Sequence, residues 1–256
     1  MIGLILLIVA IIAGVAMYNN NSKKRNEGYQ LPSDAGKLLN EHVAFYRNLD
    51  EAGKQQFEKR VQQFLEKIRI TGVGVQVEEL DRLLVASGAI IPIFHFSGWQ
   101  YNNINEVLLF KDSFNEEYGV EGGDRNILGM VGDGVMQRQM ILSQPSLRSS
   151  FNNPVDGHNT AIHEFVHLLD KADGAVDGVP EYLLSRPYVL PWIKQIHETI
   201  RDMKQGKDRD INFYGATNDA EFFAVISEYF FERPDKLKEH HPELFGLLEK
   251  IFRSES

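Results

Sequence analysis

Residues 163–167 read His-Glu-Phe-Val-His. Two histidines four positions apart share one face of an α-helix, with Cβ atoms roughly 5–6 Å apart. Imidazoles so placed reach a single ion at Zn–N distances of about 2.0–2.1 Å. Glu164, beside the first imidazole, can then take a proton from water activated by that ion and hand it to a leaving amine. The chain contains no cysteine, which excludes thiol catalysis, disulfides and Cys-based zinc knuckles. Any metal must therefore be held by histidines and carboxylates. A solvated surface helix would carry two such histidines without purpose, but Ile162, Phe165, Val166, Leu168 and Leu169 make this helix apolar over much of its surface. Histidines set among so many apolar neighbours point to a metal site.

A catalytic zinc usually takes three protein ligands and keeps a fourth position open. Asp170, three residues after His167, reads as a group that orients a ligand or caps the helix end. Downstream, Glu221 and Glu228 are seven apart, which puts both on one face of a second helix, two turns from each other. Glu221 also fits a capping box with Asn218 as N-cap. Spacing alone does not choose between the two glutamates.

The string from Asp156 to Asp170, with Gly178-Val-Pro180, Tyr214 and the block Ala220–Phe231, resembles the Mlc titration factor A family of zinc-dependent peptidases. The resemblance spans roughly residues 40–250. It implies a zincin-like catalytic core similar to that of the lethal-factor toxin peptidase, in which the third zinc ligand is the Glu seven residues after a Tyr. That pattern implies Glu221 as the third ligand and Tyr214 as a donor to the oxyanion, with Glu228 behind a ligating histidine. The member that names the family binds a glucose-responsive transcriptional repressor, but no residue here can be singled out for that partner. The expected activity is hydrolysis of a peptide or protein substrate. The alternative is a zinc-containing binding module that sequesters a regulatory protein without cleaving it.

Elements must hold these residues in place. Phe57, Val61, Phe64, Leu65 and Ile68 recur at helical spacing behind a cap at Asp50. Gly72–Val77 alternates toward a short strand, and Leu80–Ile91 predicts a buried helix ending before Pro92. Glu106–Lys111 and Gln139–Ser143 read as strands. Six glycines between Gly119 and Gly134 fit turns and suggest a lid over the site. From Asn159 onward the chain reads as helical. A few strands followed by helices predicts an α+β fold, a small mixed sheet and a mostly helical C-terminal half, rather than alternating βαβ units. Trp99, Phe94, Phe96 and Tyr101 read as buried packing before a substrate cleft. His158 reads as structural, and His240-His241 as a solvated turn.

The first eighteen residues, MIGLILLIVAIIAGVAMY, carry no charge and are followed by Lys23-Lys24-Arg25. Such a run spans a bilayer as one helix. Positive charge on its C-terminal side predicts a single-pass anchor with the body in the cytoplasm. The competing expectation is a cleaved signal and a secreted or periplasmic protein. The expected organisation is thus an anchor at 1–18, a linker at 19–36 and one metallopeptidase domain at 37–256. A net charge of −9 argues against sequence-independent nucleic-acid binding, which needs basic side chains on phosphates.

Overall fold

The computed structural model describes residues 28–113, 129–131, 138–153 and 156–253. The chain folds as α+β around a four-stranded mixed sheet. Helices α1 (Ala35–His42), α2 (Ala44–Arg47) and α3 (Glu51–Lys67) lead into β1 (Arg69–Val73) and α4 (Glu79–Ile93). Strands β2 (Glu106–Phe110), β3 (Gly129–Val131) and β4 (Gln139–Ser143) follow, then α5 (Gln144–Asn152) and α6 (Thr160–Asp170). The rest comprises α7 (Arg186–Lys204), a 3-10 turn at Phe213–Ala216, α8 (Asp219–Glu232), α9 (Pro234–His240) and α10 (Pro242–Phe252). The expected anchor at 1–18 and most of the expected lid lie outside the described residues. Among the described residues no helix is long and apolar enough to cross a membrane.

The sheet order is β1-β2-β4-β3, with β1, β2 and β4 parallel and β3 antiparallel to β4 at one edge. One βαβ crossover, β1–α4–β2, therefore exists inside a fold whose sequence suggested none. Glu106 ties three strands together. It accepts from Arg69 at 2.7 and 2.9 Å, Thr71 at 2.6 Å and Gln139 at 3.0 Å. These bonds hold its carboxyl below the usual range although burial pushes the other way.

Two boundaries differ from expectation, each for a local reason. Strand β1 begins at Arg69 and ends at Val73, where a Cβ on Gly72 would lie 2.1 Å from the Val75 carbonyl and Gly74 turns at φ +70°. The turn, not the alternation, terminates the strand. Helix α4 runs through Pro92 to Ile93. Pro92 sits in its last turn, and Arg60 supplies donors to the freed end, with Nη1 2.5 Å from the Ile93 carbonyl and 2.9 Å from that of Phe94. The cap at Asp50 is formed, its side chain accepting from Gly53 N at 2.7 Å.

Helix α4 is buried along nearly its whole length from Leu83 to Ile93 and crosses the motif helix α6 closely. A Cβ on Gly88 would come within 2.5 Å of Ala161 Cβ, so the glycine is what lets the two backbones meet. Phe165, on the same helix, packs at 5.6 Å against Phe64 and 5.2 Å against Tyr101. Phe94, Phe96 and Tyr101 are core residues, and Trp99 packs on Tyr101 at 4.8 Å. With Phe165 and Ala161 locked from behind, the histidine face of α6 is held toward the opposite side.

Candidate metal centre

Helix α6 starts at Asn159, whose side chain accepts from Ile162 N at 3.1 Å. One turn on, His163 and His167 direct their Nε2 atoms at each other, 3.1 Å apart. Helix α8 begins the same way, Asn218 accepting from Glu221 N at 2.9 Å. The Glu221 side chain does not turn back to complete a capping box. Its Oε2 lies 3.1 Å from His163 Nε2 and 3.5 Å from His167 Nε2. Among the described residues these three form the one cluster whose ligand atoms converge for an ion.

The donor set fits zinc. Ligand atoms on a tetrahedron with bonds of about 2.0–2.1 Å lie about 3.3 Å apart, the spacing seen here. His163 Nδ1 is 2.7 Å from Glu228 Oε1, a bond that fixes the proton on Nδ1 and leaves the Nε2 lone pair facing the centre. Burial disfavours a charged His163, but hydrogen bonds to the carboxylates of Glu221 and Glu228 and the nearby charge of Glu164 push its pKa well up. Burial likewise opposes ionised Glu221, yet the two histidines bring it down to about 2.

Glu164 is buried at 6% exposure and reaches the cleft wall beneath β3. A Cβ on Gly129 would sit 2.7 Å from Glu164 Oε1, so the edge strand approaches the carboxylate only because residue 129 lacks a side chain. Burial raises the Glu164 pKa against the pull of His163 and His167. Tyr214, on the 3-10 turn, is half exposed and its ring lies 6.0 Å from that of His163. Burial and the charges of Glu221 and Glu164 raise its phenol pKa, so it is a proton donor at neutral pH.

The surrounding shell holds residues that sequence reasoning placed and others it missed. Asp170 accepts from Gly178 N at 2.9 Å, tying the end of α6 to a loop. Among the described residues, its other oxygen and His167 Nδ1 are both buried without a hydrogen-bond partner. Burial, aided by Asp177 and Asp173, lifts Asp170 to about 6. Gly178 turns at φ +77°, and a Cβ there would meet the Asp219 carbonyl at 2.4 Å. Missed entirely was Glu232, which accepts from Gly157 N at 3.0 Å and Asn159 Nδ2 at 3.2 Å. Burial first, then Asp156 and Glu228, raise it to about 8. Asn212 was also missed. It accepts from Tyr214 N at 3.0 Å and donates to the His158 ring at 3.2 Å, so His158 stands beside the centre without joining it. The pair His240-His241 is not a free turn, since His240 Nδ1 is 3.0 Å from Asp210 and His241 is half-buried near Asp208 and Asp210.

Comparison with known proteins accords with this geometry. The sequence model described as "Glucose-regulated metallo-peptidase M90" matches residues 18–253. The chain belongs to this metallopeptidase family. It is 29% identical over 258 residues to the uncharacterized protein slr2042 of Synechocystis sp., covering 96% of this chain and 92% of that one. It is 26% identical to Mlc titration factor A of Cronobacter sakazakii over 217 residues, 79% and 80% of the two chains. The Escherichia fergusonii protein of the same name is 29% identical over 200 residues, 72% of each chain. Family membership implies a metal, and the His163-His167-Glu221 cluster is the group among the described residues able to hold one.

The centre opens into two cavities. One, of about 660 Å³, is lined by Gly129, Met130, Lys171, Val176 and Tyr214. The other, of about 580 Å³, is lined by Ser146, Asp156, His158, Asn212 and Tyr214. Gly129, His163, Glu164 and Tyr214 border both, so the two cavities meet at the candidate centre.

Proposed function

We propose that this protein is a zinc-dependent peptidase with a zincin-like catalytic domain, in which His163, His167 and Glu221 hold the ion. The observation that carries the reading is the buried Glu164, placed beside three converging ligand atoms where two cavities meet. Bound zinc supplies Lewis acidity, polarising the scissile carbonyl and bringing the pKa of water from ~15.7 toward ~7. Glu164 takes the proton of the attacking water. Its raised pKa makes it a competent acid afterwards, able to deliver that proton to the departing amine nitrogen. The Tyr214 hydroxyl, still protonated at neutral pH, donates to the carbonyl oxygen as negative charge builds there. Glu228 keeps the His163 ring oriented and its Nδ1 protonated.

A second reading draws on the printed name of the Cronobacter and Escherichia relatives, which refers to titration of Mlc. In that reading the metal domain captures a regulatory protein without hydrolysing it. Glu164 favours hydrolysis, because a metal held only for structure needs ligands and no adjacent base. For residues 1–18 we propose the cytoplasm-facing anchor, on their unbroken apolarity and the basic cluster after them.

The test compares the full chain with Glu164→Gln, both checked for equal zinc content, on a broad peptide library. Cleavage by wild type and none by the variant is the expected result. If neither cleaves any peptide while zinc is bound, the peptidase reading fails and capture of a protein takes its place.

A further inference from the structure

The cleft does not end at the wall formed by Asp156, His158, Asn212 and Val225. Those four residues also border a further cavity of about 600 Å³, bounded by Lys204, Arg209, Phe213 and Arg233. Its floor is apolar, with Met203, Ile211 and Val225 all buried. A chain crossing the metal cluster through the second cavity runs on into this one.

The charges there are unequally engaged. All three acids are already committed. Asp210 accepts from Tyr229, Lys236 and His240. Asp208 accepts from Asp210 N at 3.0 Å and faces His241. Asp156 accepts from His158 N at 2.9 Å and Asn153 Nδ2 at 2.8 Å. Lys236 is likewise taken up by Asp210. Lys204, Arg209 and Arg233 differ, because none of them forms an ion pair among the described residues. Arg209 donates from Nε to the Gly206 carbonyl at 3.3 Å. Three cations without an ion-pair partner among the described residues thus face a cavity in which Asp210 is paired with Lys236 and Asp156 and Asp208 accept from neutral N–H donors, so cationic side chains outnumber carboxylates in its lining.

We propose that this cavity is a carboxylate-recognising subsite, and that the preferred substrate is a peptide placing a carboxylate there. Two sources share that chemistry, an acidic side chain and the free C-terminus of the peptide. The proposal rests on the peptidase reading above for its cleavage assay, though its binding assay does not. Arg supplies planar paired donors for a carboxylate and Lys a point charge, and the apolar floor accepts the methylenes between.

The experiment uses the full zinc-loaded chain and peptides that differ at one position, Glu or Gln, moved through every position on both sides of the scissile bond. Each is made as free acid and as C-terminal amide. The expected result is about tenfold higher kcat/KM for Glu at positions on one side, or for the free acid over the amide, which separates the two sources. In a Lys204→Gln, Arg209→Gln, Arg233→Gln triple variant the preference falls to within about twofold. Arg209→Glu alone, at an exposed loop position that tolerates change, reduces the preference if the triple variant does not fold. Equal rates for Glu and Gln and for acid and amide overturn the proposal, as does a preference untouched by these variants. If no peptide is cleaved, the same set is titrated by fluorescence anisotropy against zinc-loaded Glu164→Gln. A Glu-over-Gln or acid-over-amide ratio in Kd that is lost in the arginine and lysine variants then supports the subsite without the activity, and a ratio near one sinks it.

Discussion

Replacing Glu228 by Gln separates a brace from a ligand. In the wild type both carboxylate oxygens accept, Oε1 from His163 Nδ1 at 2.7 Å and Oε2 from the backbone N–H of Asn159. A carboxamide of the same shape has one acceptor and one donor group. Whichever way it turns, one buried N–H faces an NH2. If that is His163 Nδ1–H, the ring is released from the tautomer that aims its Nε2 at the metal. The loss of one charge-assisted bond is worth about 1.5–3 kcal/mol, which converts at about 1.4 kcal/mol per tenfold to a roughly 10–150-fold weaker zinc affinity. Zinc affinity is read by competition with a chromogenic chelator, and circular dichroism confirms that the fold persists. At saturating zinc, most of the peptidase activity returns, because no ligand is missing. Glu221→Ala is the contrast, since it removes a ligand and added zinc does not restore activity. A Glu228→Ala protein, which offers neither N–H an acceptor, that stays folded and binds zinc within twofold of wild type would refute the role assigned to Glu228. Intact affinity in Glu221→Ala with loss in Glu228→Gln would mean the two glutamates have exchanged roles.

Four further outcomes follow from the same geometry. Gly129→Ala puts a Cβ 2.7 Å from the Glu164 carboxylate, so kcat falls about 10–100-fold while zinc content, measured by atomic absorption, is unchanged. Gly178→Ala strains a φ of +77° and drives a Cβ into the Asp219 carbonyl, costing about 2–4 kcal/mol in urea unfolding and weakening zinc binding through displacement of α8. Glu232 is raised to about 8 in the fold, against an ordinary carboxylate near 4.5 when unfolded. Between those pH values the folded state binds the extra proton, so this contribution is full below pH 4.5 and is lost as pH rises through about 8. The melting temperature should fall from pH 6 to pH 9, and Glu232→Gln should flatten that slope. Carbonate extraction of membranes tests the segment 1–18: the full chain should stay with the lipid pellet, and a mature N-terminus near Met17 would replace the anchor with a cleaved signal.

How much of this was legible in the sequence depends on the range of each interaction. The motif helix was readable because the histidine spacing and its apolar neighbours all lie within a dozen residues. The cap at Asp50 and the strands at Glu106 and Gln139 were local in the same way. Strand β1 was misplaced because alternation after Gly72 outweighed two glycines whose steric requirement appears only against the Val75 carbonyl. Pro92 seemed to end α4 because the donor that satisfies the helix end, Arg60, comes from more than thirty residues earlier in the chain. Gly129 was read with its neighbouring glycines as a turn or lid residue, yet it opens the edge strand β3; its meaning is the distance to Glu164, which no local pattern encodes.

Glu232 was the one missed residue that a pattern did announce. Glu221, Glu228 and Glu232 are spaced seven and four, so they form a single stripe along α8. That helix lies antiparallel to α6. Its first turn puts Glu221 against both histidines, its third puts Glu228 behind His163, and its last puts Glu232 under Asn159 and Gly157. At the other end, Gly178 packs on the Asp219 carbonyl and gives its N–H to Asp170, clamping the close of α6 to the opening of α8. The glutamate stripe thus holds the motif helix at its start and along its ligand face, and the Gly178 loop holds its end. A metal site whose ligands come from two helices needs their relative rotation and slide fixed to within a fraction of an ångström. One face of one helix does both, which is why the third ligand and its braces share a spacing that also looks like an ordinary cap.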